Sequence, residues 1–294
     1  MTDFVSSIKV PETARRNGRL SDGERFVPEE IPVAFSYGGS THAVMMAPPV
    51  SSPWAGSSWA VVRGRRAYRE DFATGFGHTG GIIGDPAEID AIEIVAEDKG
   101  IDLQVRLADA QNDALTARRR HMAGPVGCGL CGIESIEQAV RVTPSVRSST
   151  LTLSEDEVVE AVRLLNGQQP LHMATRAVHG AGFYVPGAGL VAVREDVGRH
   201  NALDKLVGAA RRAGHAGGAG AGGGTSRGSV EMVQKTAIIG SPFIIAISAP
   251  TALAIRTAEE AGMTLFTLVR GEEVENFSGA GPIRSGPERR AGNG

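Results

Sequence analysis

Phe243–Arg270, FIIAISAPTALAIRTAEEAGMTLFTLVR, is where the chain declares its fold class. Residues 243–248 form a short apolar run rich in isoleucine, bounded by Ala249-Pro250, and read as a buried strand. Thr251 is an N-cap residue for a helix over 252–261. Thr264 to Val269 then return as a second strand. Strand, helix and strand in this order make a crossover whose strands lie parallel, with helices covering the sheet. The class is therefore α/β.

Working upstream, Ser229–Ile239 and His200–Ala213 read as helices closed by Gly240 and Gly214. Phe183–Val185 and Leu190–Arg194 flank Pro186-Gly187-Ala188-Gly189 and read as a hairpin. Ser154-Glu155-Asp156-Glu157 is a capping box opening a helix that stops at Asn166-Gly167. Between these elements lies His215–Gly224, HAGGAGAGGG, with six glycines in ten residues and little to pack, which predicts a mobile tether rather than a strand. Nearer the N-terminus the pattern turns strand-rich. Ile31–Tyr37 and His42–Met46 read as strands around Gly38-Gly39-Ser40. Ala91–Glu97 and Ile101–Ala108 form a hairpin around Asp98-Lys99-Gly100. Ala47–Arg69, with three prolines and no period, reads as a loop. These readings give a disordered leader over 1–30, a smaller strand-rich α+β domain over 31–120, an α/β domain over 121–277 and a disordered tail over 278–294.

The chain has 294 residues, 41% of them hydrophobic and 21% charged, with a net charge of −3. That composition supports a packed core and carries no basic footprint for nucleic acid. Two cysteines exclude a disulfide scaffold and a four-cysteine zinc site. No apolar signal segment opens the chain, and Gly240, Pro242 and Pro250 interrupt its longest apolar stretch, so a cytoplasmic location away from the membrane is expected.

Gly127-Cys128-Gly129-Leu130-Cys131-Gly132 carries the strongest chemical signal. Flanking glycines leave the sulfurs accessible, and Arg118-Arg119-Arg120-His121 upstream would favour thiolate if folded nearby. Three chemistries compete: a dithiol redox pair, a zinc site needing two further ligands, and persulfide-based sulfur transfer. Pro125-x-x-Cys128-x-x-Cys131 echoes zinc deaminases, yet no histidine or cysteine here is followed by x-Glu, so the deaminase base is missing. Elsewhere, Arg194-Glu195-Asp196-Val197-Gly198-Arg199-His200-Asn201 lies between a strand and a helix, where α/β sheets build sites; a solvated loop is the plainer reading. Lys205 follows one turn later, and His172 and His179 flank Arg176. Ser248 and Thr251 at one strand end, and Arg270-Gly271 at the next, place a helix N-terminus and a guanidinium on one sheet edge, a combination suited to phosphate. Neither a P-loop nor a dinucleotide fingerprint is present.

These stretches resemble the formate dehydrogenase accessory sulfurtransferases, the FdhD family. The resemblance rests on GCGLCG at 127–132 with Glu134, REDVGRHNALDK at 194–205, SRGSVEMVQK at 226–235, SAPTALA at 248–254 and TLFTLVRG at 264–271, with a weaker match at DFATGF, 71–76. It implies a cytidine-deaminase-like three-layer α/β domain and a cytoplasmic homodimer. It also implies that sulfane sulfur from a cysteine desulfurase is passed to bis-molybdopterin guanine dinucleotide for formate dehydrogenase, with no permanently bound metal. Cys128 then matches the persulfide-bearing residue and Cys131 its companion. The family's cofactor segment falls on Leu268, Val269, Arg270, Gly271, Glu272 and Glu273, joined by Arg199, His200, Ser248 and Thr251 from the reading above. Residues 48–69 read as an insertion, Thr79-Gly80-Gly81 stands in place of the family's usual Thr-Glu-Gly, and HAGGAGAGGG stands where relatives have a strand. A cofactor-binding chaperone without sulfur chemistry and a CxxC oxidoreductase are the competing functions.

Overall fold

The computed structural model describes residues 5–49, 58–113, 115, 142–279 and 283–284. In chain order the first elements are β1 (Ser7–Arg16), β2 (Arg19–Pro28), β3 (Ile31–Tyr37), β4 (Ser40–Ala47), α1 (Ser58–Thr79), β5 (Ile89–Ala96) and β6 (Ile101–Leu107). Next come β7 (Leu153–Ser154), α2 (Glu155–Gly167), α3 (Pro170–Thr175), β8 (His179–Val185), β9 (Gly189–Asp196) and α4 (Arg199–Arg212). The chain continues with β10 (Ala221–Gly228), α5 (Val230–Ile238), β11 (Phe243–Pro250), α6 (Ala252–Ala261), β12 (Thr264–Arg270), β13 (Glu273–Ser278) and β14 (Ile283–Arg284). Two compact units result: Met1–Arg141 with Gln169–Gly180 and Arg194–Ala213, and Val142–Gln168 with Ala181–Val193 and Gly214–Gly294. The expected boundary at residue 120 lies outside the described residues; what differs from the expected division is that Gln169–Gly180 and Arg194–Ala213 group with the first unit. The RHNALDK helix belongs to the first unit because α4 packs on α1, a long-range partnership that local sequence does not encode.

The first unit is built on a four-stranded sheet, β4-β3-β6-β5, in which β3 and β6 are parallel. Alternation in β3 and β6 puts Val33, Phe35, Leu103 and Val105 into one core. Helix α1 closes that core with Phe72, Ala73 and Phe76; Phe76 stacks on Phe35 at 4.1 Å and Phe72 meets it edge-on at 4.9 Å. The loop expected over 47–69 is thus a helix from Ser58 onward, while residues 50–57 lie outside the described residues. Its Trp59–Val62 run is followed by Arg63-Gly64-Arg65-Arg66, and this polar break hides the period from a reading that begins at Ala47.

A second correction concerns the leader. Ser7–Pro28 form an exposed antiparallel hairpin turning at Asn17 and Gly18, both at positive φ. Asn-Gly between extended segments is the strongest short-range hairpin signal, and the polar flanks disguise it. Arg25 donates to the Thr175 carbonyl at 3.2 Å, which anchors the ribbon to α3.

In the second unit lies a six-stranded sheet ordered β13-β12-β11-β10-β8-β9. The expected crossover is present: β11 and β12 pair in parallel, and Thr251 caps α6 by accepting the Ala254 amide at 3.2 Å. The Ser154 capping box also forms, with Glu157 accepting from the Ser154 amide at 2.7 Å. Leu153, Val158, Val162, Phe243, Ile245 and Phe266 fill the core beneath α2.

The largest correction falls on the glycine tract. Ala221–Gly224 is a central strand, parallel to β11 and antiparallel to β8. Packing, not freedom, accounts for its glycines. Just before the strand, a Cβ on Gly217 would lie 1.5 Å from the Ile239 carbonyl oxygen and one on Gly220 2.8 Å from the Phe183 ring. Within it, one on Gly222 would lie 3.0 Å from the Thr236 methyl and one on Gly223 3.3 Å from the Ile245 carbonyl oxygen. The backbone approaches its neighbours too closely for side chains, a known use of glycine within strands. The expected tail is likewise shortened, since Ile283–Arg284 pair in parallel with β7.

Candidate functional site

In the second unit, β10, β11 and β12 run parallel, so Gly228, Pro250 and Arg270 mark a common carboxyl edge. Ligands of open α/β sheets collect at such edges. Two of the strands feed helices there, α5 after Ser229 and α6 after Thr251. The Thr251 amide donates to the Gly228 carbonyl at 3.0 Å, which ties the two strand ends together. Ser248 and Thr251 are half-buried on this edge, with Arg227 in register with Ser248.

The third strand behaves differently. Leu268 sits at φ +54° inside β12, and the register with β13 shifts between Thr267 and Arg270. A left-handed leucine costs about 1–2 kcal/mol, and such strain clusters at functional sites. Bulges of this kind re-aim side chains next to active sites. Gly271 at φ +60° then turns the chain, leaving Arg270, Glu272 and Glu273 exposed. Val269 is the exception within the expected Leu268–Glu273 segment: its side chain is buried in the core, so only its backbone faces the edge.

In the first unit the REDVGRHN segment is mostly bound internally. Asp71 receives Arg194 through Nε at 3.0 Å and Nη2 at 2.5 Å, and also Arg212 at 2.7 Å. Arg194 stacks over Tyr68 at 4.2 Å, and burial pushes the Tyr68 hydroxyl's pKa up. Glu195 accepts the Leu171 and His172 amides at 2.9 and 2.7 Å; burial raises its pKa while those amides pull it back. Asp196 is fully buried against Lys205 at 2.5 Å, with further bonds from Gly198 N–H at 2.8 Å and Asn201 Nδ2 at 3.1 Å. Burial raises the Asp196 pKa, opposed chiefly by the Lys205 ammonium. This network fixes the turn that presents Arg199 and His200 at the start of α4, where Gly198 offers no side-chain cap. His179 has a lowered pKa, first from burial and then from the positive charge of Arg199.

The ten carboxyl-edge and α4 residues expected from sequence therefore divide. Ser248, Thr251 and Leu268–Glu273 gather on one edge of the second unit, and Arg199 and His200 belong to the first. Cys128 and Cys131 lie outside the described residues, as do Glu134 and the Arg118–His121 cluster. Among the described residues no group of three or more His, Cys, Asp or Glu side chains could hold a metal ion, and no helix is long and apolar enough to cross a membrane. Sequence reasoning missed two buried hydroxyls on the edge, Ser229 Oγ and Thr267 Oγ1, neither of which has a hydrogen-bond partner. Their visible signals were the SRGSVEMVQK stretch at 226–235 for Ser229 and TLFTLVRG at 264–271 for Thr267.

Known proteins place the chain firmly. A sulfur carrier protein FdhD of Agrobacterium fabrum is 59% identical over 279 residues, covering 95% of this chain and 97% of that protein. Another, of Brucella abortus, is 49% identical over 283 residues and covers 96% and 99%. A crystal structure assigned as a formate dehydrogenase accessory protein of Desulfotalea psychrophila superposes with a TM-score of 0.70 at 24% identity. It covers 95% of this chain and all of that one, and it supports the mixed α/β fold. The FdhD/NarQ family profile matches residues 49–284, and the chain belongs to the FdhD/NarQ family.

Proposed function

We propose that this protein is a sulfur carrier serving formate dehydrogenase. Cys128 takes sulfane sulfur from a cysteine desulfurase, and the carboxyl edge of the second unit binds the acceptor, bis-molybdopterin guanine dinucleotide, as substrate. The Cys128 thiolate attacks the outer sulfur of the donor's persulfide; the donor leaves as its thiolate, and Cys128 becomes Cys–S–SH. Attack of the Cys131 thiolate on the inner sulfur would expel that outer sulfur as HS⁻ and leave a Cys128–Cys131 disulfide, which gives the second cysteine a part in handover. The names of the curated relatives support the sulfur chemistry.

One observation carries the nucleotide half: a left-handed Leu268 at the carboxyl edge, two residues before the exposed Arg270. The strain presents backbone and guanidinium where a diphosphate can be held. A cytidine-deaminase-like layering, a homodimer and a cytoplasmic location complete the reading as consequences of family membership.

Incubation with a desulfurase and cysteine, followed by cyanolysis, tests the proposal. Thiocyanate should appear with the wild type and vanish with Cys128→Ala, because no third cysteine can substitute. A chaperone without sulfur chemistry would yield no thiocyanate. An oxidoreductase would instead reduce insulin disulfides.

A further inference from the structure

The two helix N-termini on the carboxyl edge are not equivalent. Thr251 spends its hydroxyl oxygen on the Ala254 amide of its own helix. Ser229 occupies the same N-cap position on α5 but makes no side-chain cap bond. Its hydroxyl is nevertheless out of solvent: Ser229 is only 8% exposed, and Oγ has no partner. Water does not reach it freely and the helix does not use it, an arrangement that normally weakens a fold. Thr267 Oγ1 on β12 is equally buried and unpartnered. Its methyl lies 3.6 Å from where a Cβ on Gly228 would sit, so the Thr267 side chain packs against the residue that precedes Ser229.

We propose that the β10–α5 turn, Ser226-Arg227-Gly228-Ser229, is a phosphate-binding element. The Ser229 hydroxyl donates to a phosphate oxygen, the first-turn amides of α5 face the anion, and exposed Arg227 reaches it from the rim. The proposal rests on the nucleotide reading above and assigns the diphosphate to α5 rather than to α6. The donor set suits an anion: a helix N-terminus carries partial positive charge and amides without intrahelical acceptors, and a hydroxyl in the N-cap position adds a third kind of donor. Glu231 is the one acidic side chain in that turn. Recognition therefore depends on directed hydrogen bonds more than on net charge. Gly228 packs the turn directly onto its neighbours, since a Cβ there would be in ordinary contact with Pro250 and the Thr267 methyl at 3.5–3.6 Å.

Calorimetric titration of the full chain with GDP, inorganic pyrophosphate and guanosine tests the assignment. Ser229→Ala should weaken GDP and pyrophosphate about tenfold or more, the usual worth of a hydrogen bond to a charged group, and leave guanosine unchanged. Ser229→Asp supplies a good N-cap and a repelling charge, so it should abolish pyrophosphate binding while the melting temperature holds or rises. Ser229→Thr keeps the hydroxyl and should bind as the wild type does. If Ser229→Ala and Ser229→Asp, both folded, bind GDP and pyrophosphate with wild-type affinity, the assignment to α5 is overturned while the nucleotide reading stands. Equal losses for GDP and guanosine would make the turn a base contact and overturn it too. A wild type that binds neither GDP nor pyrophosphate would remove both readings together.

Discussion

Replacing Gly208 by alanine should destabilise the first unit, although alanine is the better helix former. Helices α1 and α4 approach each other through glycines. A Cβ on Gly208 would sit 1.9 Å from the Asp71 carbonyl oxygen and 2.7 Å from its carbonyl carbon; one on Gly75 would sit 1.7 Å from the Asp204 carbonyl oxygen. Both obstacles are backbone, which no rotamer change can relieve. Reaching the 3.4 Å at which ordinary contact begins requires the helices to part by about 1.5 Å, in an interior packed without slack. Overpacking of this kind costs about 1–3 kcal/mol. The buried Thr79–Asp204 hydrogen bond, 2.6 Å long, would stretch as well and forfeit about 1 kcal/mol. Against this, glycine to alanine inside a helix returns about 1 kcal/mol. The balance is a loss of about 2 kcal/mol, read as a drop of about 4–8 °C in the melting transition. Gly167→Ala is the control, since a Cβ at that helix end meets nothing within 4 Å. Scanning calorimetry of both variants decides the matter. A Gly208→Ala protein that melts at or above the wild type would refute the close-packing argument.

Deleting Gly220–Gly224 should abolish cooperative unfolding of the second unit, because Ala221–Gly224 pair with both β8 and β11; retention of the wild-type melting curve would restore the tether reading. Lys205→Met alone should cost about 3–5 kcal/mol in denaturant unfolding by stranding the buried Asp196 carboxylate, and adding Asp196→Asn should recover a good part of it. If the single and double variants are equally unstable, the pair is not the source. His179 has a lowered pKa in the folded protein, so as pH falls below the ordinary 6.5 the unfolded chain binds the proton first. The stability tied to this group is complete above pH 6.5 and declines as pH falls towards the lowered folded value. His179→Gln should flatten the stability profile across that window, and parallel wild-type and variant profiles would show that His179 contributes nothing to it.

By itself the sequence determined whatever depends on neighbours along the chain. The β11-α6-β12 crossover, the Ser154 and Thr251 caps, and the β5–β6 hairpin follow from apolar period and N-cap chemistry acting over a few residues. Family membership was equally legible, because motifs such as REDVGRHNALDK are contiguous. The edge bearing Ser248, Thr251 and Arg270 could be placed as well, since parallel strands carry their loop ends to one side. Tertiary structure decided the rest. Glycine in the sequence signals freedom, yet in β10 and at the α1–α4 crossing it records how closely another backbone approaches, a quantity with no local signature. The same holds for Asp196 and Lys205. Their charges suggest solvent, and only the packing of α1 over α4 buries them as a pair and turns a polar loop into a rigid frame for Arg199 and His200. Thr251 and Ser229 look alike as N-caps in the sequence; the folded chain alone shows that one hydroxyl is satisfied and the other is not.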